Sequence, residues 1–388
     1  MGLFSFIMIC KRLSHVVAGL ACTLSLAASA EDQLTIWGDN SYGQTDVPSW
    51  VVNPLHVGST RRTVAVVMPD GTIGAWGSDT NGEVSSAPFP DPGVTFEKVF
   101  GGWGFTFLGL TNQGQLIPWG RNSVGQANVP TLPAGRSYLK GAVGFFHGAA
   151  LRDDGQIVAW GANQPVFTVS QQATILTVPS LPSGVTYTDL GVGYRTTLAL
   201  RSDGQLRGWG IQLYGELDIP ALPAGTTWTQ MSLAGTFSVA LRSDGVVRAW
   251  GDDYFGQVAG VPTAPAGQTF VEVRSGADHA LARRSDGAWV GWGTNYDGEA
   301  NGQLMPSGNL RQVIASGGFN VIRHEVAAAC PGDIDASAIV DAGDIGSLLI
   351  LFGDCAGGTP GCAGDLDGSG TVDAGDIGSM LLMFGDCP

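Results

Sequence analysis

Apolar and polar residues alternate in short runs along most of this chain, and the runs come in pairs. In Leu198-Ala199-Leu200-Arg201-Ser202-Asp203-Gly204-Gln205-Leu206-Arg207-Gly208-Trp209-Gly210, two alternating stretches flank Asp203-Gly204. A period of two predicts half-buried strands, and Asp-Gly between two such runs predicts a hairpin with a type I′ turn. The same turn is expected at Asp70-Gly71, Asp154-Gly155, Asp244-Gly245 and Asp286-Gly287, with Gln113-Gly114 as a variant.

Each hairpin runs into Trp-Gly. The dipeptide stands at Trp37, Trp76, Trp119, Trp160, Trp209, Trp250 and Trp292, at spacings of 39, 43, 41, 49, 41 and 42 residues. Trp103-Gly104 is a further copy that falls out of register. A period near forty with a fixed aromatic predicts a propeller, each repeat forming one sheet. Six residues past most of these Trp comes Gly and then Gln or Glu: Gly43-Gln44, Gly82-Glu83, Gly125-Gln126, Gly215-Glu216, Gly256-Gln257 and Gly298-Glu299. The fourth repeat lacks this pair, runs Ala162-Asn163-Gln164-Pro165, and is longer, so an enlarged loop is expected there. The first repeat, at Leu34-Thr35-Ile36-Trp37, has no hairpin before it, and the last apolar stretch, Val313 to Arg323, has no Trp-Gly after it. The N-terminal strand should therefore complete the final blade, which leaves no long unpaired sheet edge.

Composition adds a leader and a second domain. Lys11-Arg12, the apolar run Leu13 to Ala27 and Ala28-Ser29-Ala30 read as a signal peptide over residues 1–30. A transmembrane anchor is the rival, but the run is short for a bilayer, which takes roughly 20 residues. The chain carries 34 acidic and 19 basic residues. Ten Asp and no Lys, Arg or Glu lie in residues 331–388, and without the leader the rest carries −7. Such a balance repels nucleic acid and anionic membranes. Beyond the leader the cysteines are Cys330, Cys355, Cys362 and Cys387, an even set that reads as two disulfides in an exported chain. A zinc site fits less well, since close Cys pairs are missing and His324 is the only nearby His.

Residues 333–355 repeat at 365–387. In the second copy Asp365, Asp367, Ser369, Asp373 and Asp376 occupy positions 1, 3, 5, 9 and 12 of a calcium loop, Thr371 supplies a carbonyl at 7, and Gly370 makes the turn at 6. The first copy keeps Asp333, Asp335, Ser337, Asp341 and Asp344, with the Ile339 carbonyl at 7, but places Ala338 at the turn. Two Ca2+ sites are expected, the first weaker. Each loop leads into a helical spacing: Ile345, Leu348, Leu349 and Phe352, then Ile377, Met380, Leu381 and Phe384.

The repeats resemble the regulator-of-chromosome-condensation repeat family over roughly residues 31–326, with runs such as Trp37-Gly38-Asp39-Asn40-Ser41-Tyr42-Gly43-Gln44 closest to secreted bacterial members, among them an inhibitor of β-lactamase. The resemblance implies an all-β, seven-bladed β-propeller. The tail, residues 327–388, resembles a type I dockerin, a small α-helical tandem calcium-loop domain that plugs into a cohesin. It departs at the recognition positions, here Ala342-Gly343 and Ala374-Gly375. Because dockerin termini are adjacent, the resemblance implies Cys330–Cys387 and Cys355–Cys362. A helix of about ten residues is roughly 15 Å long, too far for Cys330 to reach Cys355.

The repeated Trp read as core, and His147 and His279 as structural, because Thr63, Thr106, Thr196 and Phe237 fill the same repeat position. Partner-binding candidates are Trp103, Phe145, Phe146, Tyr194, Arg195 and Phe319, before the second strands, and Tyr42, Tyr214, Tyr254, Phe255 and Tyr296, after Trp-Gly. No paired-acid motif, nucleophile elbow or His-rich metal site stands out, and Ser-Asp-Gly lacks the sialidase Asp-box layout. The family's nucleotide exchange on a nuclear GTPase conflicts with an acidic, exported chain. The expectation is a secreted or cell-surface, non-catalytic binding protein that engages a protein partner through its propeller and a cohesin-like partner through its tail. The alternatives are glycan binding or hydrolysis, and inhibition of a secreted enzyme.

Overall fold

The alternating runs do form strands. The structure, a computed structural model, describes residues 31–162 and 167–326, and in the tail 339–340, 345, 348, 353–354, 365–366, 371–381 and 385–386. The leader and Cys330, Cys355, Cys362 and Cys387 lie outside the described residues. The chain divides into two units, one of them Glu31–Val326.

That unit consists of seven three-stranded antiparallel sheets. Blades 1 to 6 span residues 56–77, 96–120, 138–161, 187–210, 228–251 and 270–293, and blade 7 is Asn309–Ala315, Phe319–Val326 and Glu31–Gly38. Strand Glu31–Gly38 pairs antiparallel with Phe319–Val326 from Glu31↔Val326 to Gly38↔Phe319, so the two ends of the repeat array close the ring as expected. The first strands of all seven blades line one axial cavity. Middle strands are buried on both faces: Thr63–Val67 (TVAVV) has no exposed position. Third strands such as Leu206–Gly210 still present one position, here Arg207, to solvent.

Seven apolar clusters fill the seven gaps between blades, and each of the seven Trp belongs to one of them. The two sequence signals turn out to be one device. Trp76, Trp119, Trp160, Trp250 and Trp292 donate Nε1–H to the main-chain carbonyls of Gln44, Glu83, Gln126, Glu216 and Gln257, each in the preceding repeat, at 2.8–3.1 Å. Those Gln and Glu side chains are themselves buried. Each accepts from the backbone of its own loop, for example Tyr42 N to Gln44 Oε1 and Asn81 N to Glu83 Oε2. The indole supplies area for the gap, and its one donor locks adjacent blades. The fourth repeat has no such Gln, and Trp209 Nε1 has no acceptor among the described residues. A helix, Val169–Leu176, occupies the expected enlarged loop, capped by Thr168 and Gln171, with Phe167 and Ile175 buried.

The hairpin turns differ from expectation. Asp70, Asp154, Asp203, Asp244 and Asp286 do not have positive φ; only the Gly does, at 72–89° in these five turns. Gly71 N donates to Met68 O and Met68 N to Thr72 O, so the loop holds three residues and ends in a left-handed Gly rather than a type I′ turn. Asp is selected for its side chain: Asp70 Oδ1 accepts from Thr72 N at 2.9 Å. Arg152, Arg201, Arg242 and Arg284 add ion pairs to the same carboxylates in their turns.

In the tail, Ile339–Val340 pairs with Gly385–Asp386, and Gly353–Asp354 with Thr371–Val372. Ala374–Leu381 is helical. Leu348, Val372 and Met380 form a core against Ile345, Leu366 and Ile377.

Candidate binding face and central channel

Register decides which loops meet. Thr196, at the start of a middle strand, pairs with Gly210, at the end of the third strand. The loops before every second strand and those after every Trp-Gly therefore open on one end of the sheets, and the Asp-Gly turns on the other.

On this loop face the sequence candidates separate. Trp103, Phe145, Phe146 and Tyr194 form one aromatic network, with centroid separations of 5.7 Å (Trp103–Phe145), 5.2 Å (Trp103–Tyr194), 4.8 Å (Phe145–Phe146) and 5.0 Å (Phe146–Tyr194). Phe167, at the start of the inserted helix, extends it, 5.0 Å from Phe146. Four guanidinium groups lie over these rings: Arg61 on Trp103 at 5.1 Å, Arg62 on Tyr42 at 4.5 Å, Arg121 on Phe145 at 4.1 Å, and Arg195 on Phe146 at 5.3 Å. Burial pushes the Arg121 pKa down from its ordinary value, against a smaller opposing influence of Tyr194. Elsewhere on the face Tyr254 and Tyr296 are each 83% exposed, and Phe255 stands between them. Tyr214 is also exposed.

Phe319 requires correction as a contact residue. It begins the middle strand of blade 7, is fully buried, and packs with Val57, Trp76 and Val321. Phe146 is also buried, so it supports the network from beneath.

Trp103, the copy out of register, has a distinct place. From blade 2 it touches Arg61 of blade 1, Phe145 of blade 3 and Tyr194 of blade 4, and its Nε1 would lie 3.4 Å from a Cβ on Gly235 of blade 5. Its indole thus spans the axis and closes the channel at the loop face. Nε1 is buried with no acceptor among the described residues. The strands converge here so tightly that only glycine fits: a Cβ at Gly102 would meet Val143 O at 1.9 Å, and one at Gly144 would meet Gly193 O at 1.9 Å.

Behind Trp103 lies a cavity of about 400 Å³. Seven equivalent register positions, His56, Lys98, Lys140, Asp189, Gln230, Glu272 and Gln312, form a polar ring in the first strands, and His56, Lys140, Asp189 and Gln312 of it line the cavity. In blades 2 to 7 a β-bulge stands just before the ring residue, as between Phe96 and Lys98. The ring seals strand edges: Gln312 accepts from Val57 N and donates to Val57 O, His56 Nδ1 accepts from Val99 N, and Gln230 accepts from Val273 N. Lys140 pairs with Asp189, and Glu272 with Arg274 and Arg283. Sequence reading missed this ring, although an apolar-x-polar triplet recurs at Phe96-Lys98, Tyr138-Lys140, Tyr187-Asp189, Trp228-Gln230, Phe270-Glu272 and Leu310-Gln312.

The histidines are structural. His147 Nε2 meets Thr197 Oγ1 at 2.8 Å and His279 Nε2 meets Asn320 Oδ1 at 2.9 Å, both fully buried. Desolvation lowers the His147 pKa to about 3 and also lowers that of His279. Burial, with Arg323 and Lys98 nearby, lowers His56 to about 4.

With this geometry in view, the comparisons with known proteins bear on the fold. A family model described as the regulator of chromosome condensation (RCC1) repeat matches residues 140–164. Prp20p of Saccharomyces cerevisiae, a structure described with binding to Gsp1p and histones, aligns at TM-score 0.59 and 17% identity, covering 76% of this chain and 92% of that one. Human WBSCR16 aligns at 0.58 and 17%, covering 76% and 99%. Yeast RCC1 (Prp20), in a structure bound to Kap60, aligns at 0.59 and 16%, covering 81% and 96%. The fold is that of an RCC1-like β-propeller. At these identities the likeness extends to the fold alone.

In the tail, Asp376 is fully buried, and its carboxylate accepts from Leu366 N at 2.6 Å and Asp373 N at 2.7 Å. Asp373 Oδ1 accepts from Gly375 N, and Thr371 lies beside Asp373. Asp365 is half-buried. The remaining expected ligands, Asp333, Asp335, Ser337, Asp341, Asp344, Asp367 and Ser369, lie outside the described residues, and of Ile339 the backbone alone is described. Among the described residues no helix is long and apolar enough to cross a membrane.

Proposed function

We propose that this chain is a secreted, non-catalytic binding protein whose propeller engages a protein partner through the loop face. One observation carries the reading: aromatic side chains contributed by three consecutive blades converge on one end of the ring, with arginines over them. Aromatic residues and Arg are the side chains over-represented in binding hot spots. Protein binding by the RCC1-like structures described with Gsp1p, histones and Kap60 supports it. The test is cross-linking of the full chain to proteins of its surroundings. Cross-links to the loop face are expected, whereas a partner footprint on the turn face, or specific turnover of any glycan or peptide, contradicts the reading.

The tail is a calcium-stabilised, dockerin-like tether within this proposal. A carboxylate as buried as Asp376 suits a loop organised around a hard cation, with Asp365, the Thr371 carbonyl and Asp373 as further ligands. Titration with Ca2+ should reveal two sites with Kd on the order of 10⁻⁴–10⁻³ M, the first copy weaker. Asp376→Ala should abolish the second site, and an unchanged isotherm contradicts it. A glycan partner is favoured by the exposed rings of Tyr254 and Tyr296, and a glycan array tests it.

A further inference from the structure

Arginines are generally neutralised in this propeller. Arg152, Arg201, Arg242 and Arg284 pair with the Asp of their own turns, and Arg311 and Arg323 pair with Glu325 and Asp32. Among the described residues Arg207 and Arg248 stand unpaired on exposed outer strands, and Arg61, Arg62, Arg121 and Arg195 form a third group. Among the described residues none of them makes an ion pair, although the unit carries −7 overall. Aromatic faces hold them instead, and one ring network joins all four: Arg62 also lies 5.8 Å from Phe105, which packs on Phe145, and Arg195 also covers Tyr194 and Phe167. From the far blades Asp278 acts on Arg61 beyond pairing distance.

A ring stacked on a guanidinium occupies its flat face and leaves the in-plane N–H donors free. Those donors match a carboxylate, two N–H groups to two oxygens. The face also holds donors with nothing to bind: Arg195 Nε and Trp103 Nε1 are buried and lack acceptors among the described residues. Among the described residues, Arg121 Nε is the one donor of the four arginines with a side-chain acceptor, Ser123 Oγ at 2.9 Å.

We infer that the loop face over blades 1 to 4 recognises an acidic segment of its protein partner, with Asp or Glu carboxylates seated between Arg61, Arg62, Arg121 and Arg195. The inference rests on the protein-binding reading and gives it a chemistry. A nucleic acid would offer anions too, but the net charge of the unit and of its tail opposes a long polyanion.

The test uses the full chain and fluorescence anisotropy with four labelled probes: a Glu-rich peptide, its Gln-substituted and Lys-substituted counterparts, and a single-stranded oligothymidylate. The Glu-rich peptide should bind saturably, more weakly at higher salt. Arg62→Gln and Arg121→Gln should each weaken it about tenfold or more. Arg207→Gln and Arg248→Gln, on exposed outer strands, remove the same charge and should leave it unchanged. Thermal unfolding of each variant separates lost binding from lost fold, and Arg121→Lys, which keeps charge but not the planar fork, should still bind more weakly. No binding of the Glu-rich peptide, equal binding of the Gln or Lys peptide, or tighter binding of the oligothymidylate overturns the inference. A partner cross-linked to this face in the earlier experiment would still uphold the binding reading, so the two can fail separately.

Discussion

Blades 1 to 4 and blades 5 to 7 share a scaffold and differ at the loop face. The two residues before each middle strand are Arg61-Arg62, Gly104-Phe105, Phe145-Phe146 and Tyr194-Arg195 on one side of the ring. On the other they are Gly235-Thr236, Ala277-Asp278 and Gly317-Gly318. At these positions one arc carries aromatic rings and cations and the other carries small residues and Asp278, its exposed rings Tyr254 and Tyr296 standing instead in the loops after Trp-Gly. Inside the sheets no such division exists, since the same Trp, the same bonds to the preceding repeat and the same bulges occur on both arcs. The packing inside the sheets is alike on both arcs, while the proposed recognition surface covers one of them.

If the scaffold is equivalent on both arcs, Trp160→Ala and Trp250→Ala should each cost about 3–5 kcal/mol in denaturant unfolding. Losses that differ severalfold between the arcs would break the equivalence.

Acid should destabilise both arcs through their buried histidines. Because the folded pKa of His147 is depressed, its neutral form contributes fully above about pH 6.5. That contribution fades as pH falls toward about 3. His279 is shifted in the same direction. The expected loss is on the order of 1–2 kcal/mol by pH 5 for His147. His147→Thr, which copies the residue at Thr106 and Thr196, should flatten the pH profile between 5 and 7. An unchanged profile would show that His147 is not the responsible group.

A smaller effect distinguishes blade 4 from its neighbours. Trp160→Phe removes the donor to Gln126 O and should cost about 1 kcal/mol more than Trp209→Phe, whose indole has no acceptor among the described residues. Equal costs would mean that the indole bond adds nothing to blade locking. Smallest of all, Tyr254→Ser and Tyr296→Ser on the arc of blades 5 to 7 should change stability by less than about 0.5 kcal/mol, and a larger loss would place those rings in a packed structure.

Features that repeat were legible in the sequence. The Trp-Gly period gave the blades, and the unmatched ends at Trp37 and Val321 gave the closing strand. Features that depend on the axis were not. Nothing local marks Trp103 as the side chain that crosses the channel, because its neighbours come from four other blades. The polar ring was hidden by the bulge before the ring residue in blades 2 to 7, which shifts the alternation by one position and moves the following side chain to the other face. Phe319 was misplaced by a single residue at a strand boundary, enough to turn a core side chain into an apparent surface one. The ring-stacked arginines of the loop face span positions 61 to 195, and only folding reveals that they share rings and lack carboxylate partners among the described residues.

Hydrogen exchange of the full chain with and without the Glu-rich peptide tests the division of the loop face most directly. Protection is predicted in the loops at residues 61–62, 103–105, 121–123, 144–146 and 193–195, with exchange unaltered at 235–236, 277–278 and 317–318. Protection centred on blades 5 to 7, or spread evenly around the ring, would contradict it.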